Sequence, residues 1–300
     1  MPDLDAIVKA YDIRGVVPGE WDEEVARALG GAFADVVAAP AQAGRIAIGH
    51  DMRDSSPGLA QAFAEGAAWR GVDVVLIGLC STDGLYFASG SLDVPGAMFT
   101  ASHNPAQYNG IKMCHAGARP VGQDTGLADV HRLAAQYLEE GIPAAGDTGS
   151  VTEADLLADY AAHLRSLVPL EGIRALKVIV DAGNGMAGLT VPAVLGTEAG
   201  LPDVGLDVVP LYFELDGTFP NHEANPLDPA NLMDLQTAVI AEEADLGLAF
   251  DGDADRCFVV DERGEPVTPS AITALVAERE IAREVGAGVP PAEVAVVHNV

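Results

Sequence analysis

Short runs of β-branched and other apolar residues alternate along this chain with longer amphipathic stretches, the rhythm of an α/β fold. Strands are predicted at Arg45–Gly49, Val72–Ile77 and Val94–Phe99, and helices near Asp22–Ala38, Pro57–Arg70, Thr82–Ser89 and Asp124–Glu140. The Gly-, Pro- and Ala-rich stretch Gly141–Gly149 then reads as a linker. A second set follows, with helix Glu153–Leu167, strand Lys177–Asp181, a helix from about Ala187 and strand Leu206–Pro210. Helix Asp228–Glu243 and strands Leu246–Phe250 and Cys257–Val260 continue it. Helix Pro269–Val285 and a last strand, Val294–Val297, come at the end, with no helix after them. A domain that opens there has no room to finish, so the sequence is expected to belong to a longer one. No close repeat is evident, although both halves share the same rhythm.

Three hundred residues exceed one compact core and point to two or three domains. With 49% hydrophobic and 20% charged residues, the chain can bury real cores. No apolar run approaches a membrane span, and the start, Met1 to Asp5, carries no basic segment followed by an apolar one. A cytoplasmic protein without a membrane partner is expected. Cys80, Cys114 and Cys257 are odd in number and widely spaced, which fits reduced thiols and neither a disulfide framework nor a zinc site. The formal charge of −29 excludes a nucleic-acid surface, which needs a basic face. An anionic substrate would need a locally positive pocket inside this repelling envelope.

Two segments carry chemistry. Thr100–Lys112 follows an apolar strand, and its Asn, Pro and Asn-Gly residues predict a loop at the strand's C-terminal edge, where α/β active sites usually lie. Ser102 needs a base or cation beside it to act as a nucleophile, and His103 and Lys112 are within loop reach. An ordinary polar loop would have the same composition. Asp251-Gly252-Asp253-Ala254-Asp255-Arg256 follows another apolar strand. Its three carboxylates at alternate positions repel one another unless a cation is bound, and all-oxygen donors select a hard ion, Mg²⁺ above all. An EF-hand is excluded, because Arg256 stands where the loop needs Gly and Cys257–Val260 reads as a strand.

Other signals are weaker. Gly183 to Gly188 spells GxGxxG after a strand, but one tight strand-to-helix turn needs such glycines for backbone reasons alone. Arg14 in Tyr11–Gly15 and Arg53 in Gly49–Ser56 each read alone as a structural ion pair.

Together and in this order, the segments from Tyr11 to Asp261 closely resemble the α-D-phosphohexomutase family. Thr-Ala-Ser-His-Asn-Pro followed by Tyr-Asn-Gly-x-Lys, and the stretch Asp216–His222, are similar to its phosphomannomutase/phosphoglucomutase branch. The chain departs from that branch at Glu223 and Ala224, where His and Pro are usual, and at His50, where Arg or Lys is common. The resemblance implies successive related three-layer α/β/α domains with mixed sheets (phosphohexomutase-like), the C-terminal part missing. Domain 1 would span 1–148 with the phosphoserine loop and domain 2 would span 149–264 with the metal loop. Residues 265–300 would open an incomplete third.

The implied activity is an Mg²⁺-dependent interconversion of hexose 6-phosphate and hexose 1-phosphate, of mannose or glucose, through a bisphosphorylated sugar. Ser102 would carry the phosphoryl group. Asp251, Asp253 and Asp255, with a phosphate oxygen on Ser102, would hold Mg²⁺. Lys112 or His103 would move the proton, with Lys112 favoured if nearby cations lower its pKa. Arg14 and Arg256 would orient the phosphoserine. Substrate and hexose bisphosphate are the implied partners. A phosphoglucosamine or phosphopentose mutase, and a non-catalytic sugar-phosphate-binding protein, are the alternatives. Without the sugar and phosphate loops of later domains, the 300 residues are expected to be a poor mutase.

Overall fold

The computed structural model describes residues 3–170 and 172–296 and contains two mixed sheets. The first is built from β1 (Ile13–Val16), β2 (Arg45–His50), β3 (Asp73–Leu79), β4 (Gly96–Phe99), β5 (Tyr108–His115), β6 (Arg119–Pro120) and β7 (Val151–Glu153). Its helices are α1 (Leu4–Ile7), α2 (Glu23–Phe33), α3 (Ser56–Trp69), α4 (Thr82–Leu92) and α5 (Leu127–Glu140). The second sheet contains β8 (Leu176–Asp181), β9 (Leu206–Leu211), β10 (Leu246–Phe250), β11 (Cys257–Asp261) and β12 (Pro266–Val267). It is accompanied by α6 (Leu157–Leu167), α7 (Ala187–Val194) and α8 (Met233–Ala241), and α9 (Pro269–Gly286) follows.

Both faces of each sheet are covered, which is why the central strands read as unbroken apolar runs in the sequence. Ile46 and Ile48 of β2 face Leu59 and Phe63 of α3, while Ala47 between them faces Leu85 and Ala88 of α4. The rings of Phe33, Phe63 and Phe99 fill the first of these layers, the first pair tilted at 5.6 Å and the second edge-to-face at 5.5 Å. The second sheet repeats the plan. Val178 and Val180 of β8 pack on α7, and Ile179 packs on Leu235 and Val239 of α8.

The strand orders are β1-β5-β4-β2-β3-β7 and β12-β11-β10-β8-β9. In the first, α3 carries the chain from β2 to β3, and α4 returns it past β2 to β4 on the opposite face. In the second, α7 leads from β8 to β9, and α8 returns past β8 to β10. The winding therefore switches direction between β2 and β4 in the first sheet and between β8 and β10 in the second. Crevices at such reversals, outside the carboxyl ends of the strands, are where doubly wound sheets bind ligands. The Ser102 loop leaves β4 at the first, and the Asp251 loop leaves β10 at the second.

Four expectations change. Residues 108–112, read as loop, begin strand β5, which lies between β1 and β4. Asn109-Gly110 resembles a turn signal, but Asn109 bonds Ser55 and Ser56 at 2.8 and 2.9 Å. A side chain at Gly110 would strike the Ile13 carbonyl of β1. Val151–Glu153, beyond the expected boundary at 148, pairs with β3 and belongs to the first sheet. The following helix starts at Leu157 because Asp155 accepts the Leu157 amide at 3.0 Å. Val294–Val296 form no strand, having no partner strand among the described residues, and Val297 lies outside them. No side chain of α9 is buried among the described residues, and no helix there is long and apolar enough to cross a membrane.

Candidate active site

The two crevices face each other. Gly252 lies against the Ser102 carbonyl, and a Cβ there would collide with it. Ser102 Oγ donates to Asp251 Oδ2 at 2.9 Å, across 149 residues of chain. Arg256 Nη2 donates to the same Oγ at 2.6 Å and is paired with Asp251 Oδ2. His103 Nδ1 lies 3.4 Å from Ser102 Oγ and 2.6 Å from Arg256 Nη2. The serine, at φ +54° in the left-handed region that few L residues adopt, is 3% exposed. Its amide is tied to Thr100 Oγ1 at 2.9 Å.

Asp251, Asp253 and Asp255 each offer an oxygen within 4.8 Å of the others. The first two are fully buried. Burial, then the charges of Asp253 and Asp255, push the Asp251 carboxyl up to about 7. Burial acts the same way on Asp253, but Lys112 and Thr82 outweigh it and hold that carboxyl below the usual range. Thr82, at the start of α4, donates to Asp253 Oδ2 at 2.5 Å, so the first domain grips the second domain's carboxylate. Asp253 Oδ1 is buried without a hydrogen-bond partner among the described residues. A crowded carboxylate trio with one orphaned oxygen fits a hard divalent cation.

Lys112 on β5 reaches Asp253 Oδ2 and Asp255 Oδ2, each at 2.6 Å. Burial works against its charge, but the two carboxylates outweigh that and raise its pKa. The sequence reading required the opposite, a lysine lowered by neighbouring cations. Anions turn out to dominate because β5 points Lys112 at the acidic loop. His103 is lowered by burial and then by the charges of Arg256 and Arg14, which favours a neutral ring. Arg14 bonds Asn104 and Asp12, each at 2.6 Å, and keeps its Nε buried and unpartnered beside the loop.

All eight residues singled out in the sequence thus converge on one place. Sequence reasoning missed Thr82, whose signal is its position at the carboxyl end of β3, and gave Arg53 too little weight. In the GxGxxG turn the Met186 amide donates to the Gly252 carbonyl at 2.9 Å and so braces the acidic loop. His50 lines a groove of about 570 Å³ with Gln61, Glu153 and Asp155. Cys80 and Cys114 are buried and Cys257 exposed, and all three are free.

A buried serine facing an acidic trio and an arginine between two doubly wound domains is the class of site that this geometry defines. The chain belongs to the phosphoglucomutase/phosphomannomutase family: residues 5–138 match its α/β/α domain I and residues 158–264 its α/β/α domain II. It is 41% identical over 285 residues to a phosphomannomutase of Salmonella montevideo, covering 93% of this chain and 60% of that protein. A phosphomannomutase of Escherichia coli K12 is 39% identical over 284 residues, with the same coverage. The crystal structure of a phosphoglucomutase/phosphomannomutase family protein from Burkholderia thailandensis superimposes with a TM-score of 0.81 at 34% identity, covering 95% of this chain and 60% of that one. The chain thus spans about three fifths of the length of these relatives.

His222 ties the Asp216–His222 stretch to the second crevice, its Nε2 2.9 Å from Asp181 Oδ2. Burial disfavours the charged ring, but the hydrogen bond and charge of Asp181 and the Glu223 carbonyl outweigh it and raise the pKa. A raised histidine pKa contributes stability below its unfolded value and loses it as pH climbs through the folded value. His222→Gln is therefore expected to lower Tm more at about pH 5.5 than at about pH 9. Equal losses in calorimetry at both would show that the pair is not charged.

Proposed function

We propose that this chain is the phosphoryl-carrying part of an Mg²⁺-dependent hexose-phosphate mutase, acting on mannose or glucose phosphates through a hexose bisphosphate. The observation that carries the reading is Ser102 Oγ, held between Asp251 and Arg256 across the domain boundary. A phosphoryl group on that oxygen would lie between the carboxylate trio and the guanidinium of Arg256, with Arg14 beside the same loop. Mg²⁺, when bound by Asp251, Asp253 and Asp255 and a phosphoryl oxygen, offsets the charge of the group in transfer.

The chain's own residues do the rest. Arg256 keeps the phosphoryl oxygens oriented, as a fork-shaped donor suits. In phosphoryl uptake, Ser102 loses its proton and gains the group from the bisphosphate, whose freed sugar oxygen takes up a proton; the return step reverses this. We favour Lys112 over His103 as the proton carrier. Its ammonium is held by two carboxylates, and cation binding there would release it toward the sugar oxygen.

Intact mass after incubation with a hexose bisphosphate and Mg²⁺ tests the reading. One added phosphoryl group supports the mutase, and none supports a binding protein on the same scaffold. Lys112→Met is expected to slow uptake by about 10²–10⁴, the usual worth of a positioned acid/base, with a smaller effect for His103→Gln. The reverse ranking would move the role to His103. These residues alone are expected to interconvert hexose 1- and 6-phosphates poorly, and robust turnover in a coupled assay would contradict that.

A further inference from the structure

Two segments evident in the sequence take no part in the chemistry above, and in the structure they meet. Arg53, in Gly49–Ser56, is 1% exposed and fully engaged. Its guanidinium donates to Asp51 Oδ2 at 3.1 Å and to four carbonyls of the phosphoserine segment. These are Ser102 at 2.9 Å, Asn104 at 2.7 Å, Pro105 at 2.8 Å and Tyr108 at 3.0 Å. The first of them belongs to the residue whose backbone is left-handed.

Across that guanidinium lies Phe219 of the second domain, its ring centre 5.1 Å from the Arg53 Cζ. Gly217 sits on the Arg53 backbone, where a Cβ would stand 2.6 Å from the Arg53 Cα, so only glycine lets this turn approach so closely. The far end of the same turn is fastened to the second domain's crevice by His222 on Asp181 and by Asn221 on Asn184, the latter at 2.8 Å.

We propose that Arg53 is a positioning residue for phosphoryl transfer at Ser102, and that the Asp216–His222 loop is how the second domain keeps it in place. The role in transfer rests on Ser102 being the phosphoryl carrier, as proposed above; the hold on the loop does not. Only arginine offers a planar fork of five N–H donors that serves one carboxylate and four carbonyls together, and lysine has three donors on one atom. Phe219 covers the cation with its ring face and keeps out water that would compete for those donors. A displacement of about 1 Å in a reacting oxygen costs on the order of 10²-fold in rate, so the loop backbone is where such a device has leverage.

Two variants test it in the full chain. Phe219→Ala leaves every Arg53 hydrogen bond available and removes only a half-buried ring. Arg53→Lys keeps the charge beside Asp51 and removes the fork. If the lysine variant fails to fold, Phe219→Ala carries the test alone. In the unphosphorylated chain, amide exchange over residues 100–110 is expected to quicken about tenfold or more, with β8 and β10 unchanged. Unchanged exchange in the loop overturns the proposal. With hexose bisphosphate and Mg²⁺, the maximal rate of Ser102 phosphorylation is expected to fall by about 10–10²-fold while the half-saturating bisphosphate concentration shifts less than about twofold. Wild-type maximal rates, or an effect confined to the half-saturating concentration, overturn it too. If the wild-type chain itself takes up no phosphoryl group, the function proposed above fails, and loop exchange alone decides whether Arg53 positions the loop.

Discussion

Ser102→Ala is expected to abolish phosphoryl uptake from a hexose bisphosphate, a loss of at least about 10⁴-fold, since removing a covalent nucleophile leaves nothing to form the bond. Neighbouring hydroxyls are committed elsewhere: Thr100 Oγ1 accepts the Ser102 amide, and Thr82 Oγ1 donates to Asp253. The fold should tolerate the change. Arg256 and Asp251 remain paired with each other, so no buried charge is orphaned. Intact mass and a thermal melt check both halves: no adduct, and a Tm within a few degrees of wild type. An adduct on the alanine variant would move the carrier to another residue.

Asp253→Asn is the second large effect. The amide keeps the shape of a fully buried side chain but removes the charge that faces Lys112 and, through its orphaned Oδ1, the cation position. Phosphoryl uptake is expected to fall about 10³-fold, the scale seen when one preorganised electrostatic group is lost at a transferring centre. A ligand that binds only the folded chain stabilises it by about 2.7 kcal/mol at a hundred times its Kd. Added Mg²⁺ should therefore raise the Tm of the wild type and leave the variant nearly unmoved, in melts at matched ionic strength. An equal rise in both would remove Asp253 from the ligand set.

Much of this was legible in the sequence. Strands β2, β4, β8 and β10 read as apolar runs because helices cover both sheet faces, and the two chemical loops could be placed by what they follow. Strand β5 was not legible, since its Asn-Gly pair looks like a turn until the close approach of β1 is known. Strand β7 is three residues long, too short for any period, and owes its conformation to the edge of β3. At the site, residue types singled out the serine and the carboxylates. Distances between them depend on how two domains face each other, which no local pattern records. The same holds for the pKa of Lys112, set by carboxylates more than 140 residues away. Arg53 is the instructive case: in the sequence it reads as half of a structural ion pair, yet four of its five partners are carbonyls around fifty residues further on.

The serine and its carboxylate partner stand 149 residues apart, and during synthesis that separation is also an interval of time. At about 5–20 residues per second the ribosome needs roughly 7–30 s to travel from Ser102 to Asp251. During that interval the nascent first domain lacks the Arg256 guanidinium and the acidic loop that hold Ser102 Oγ in the folded chain, and that phosphoryl uptake at Ser102, as proposed above, would need. Pulse-labelling of stalled ribosomal complexes with a labelled hexose bisphosphate should mark only chains in which Arg256 has cleared the exit tunnel.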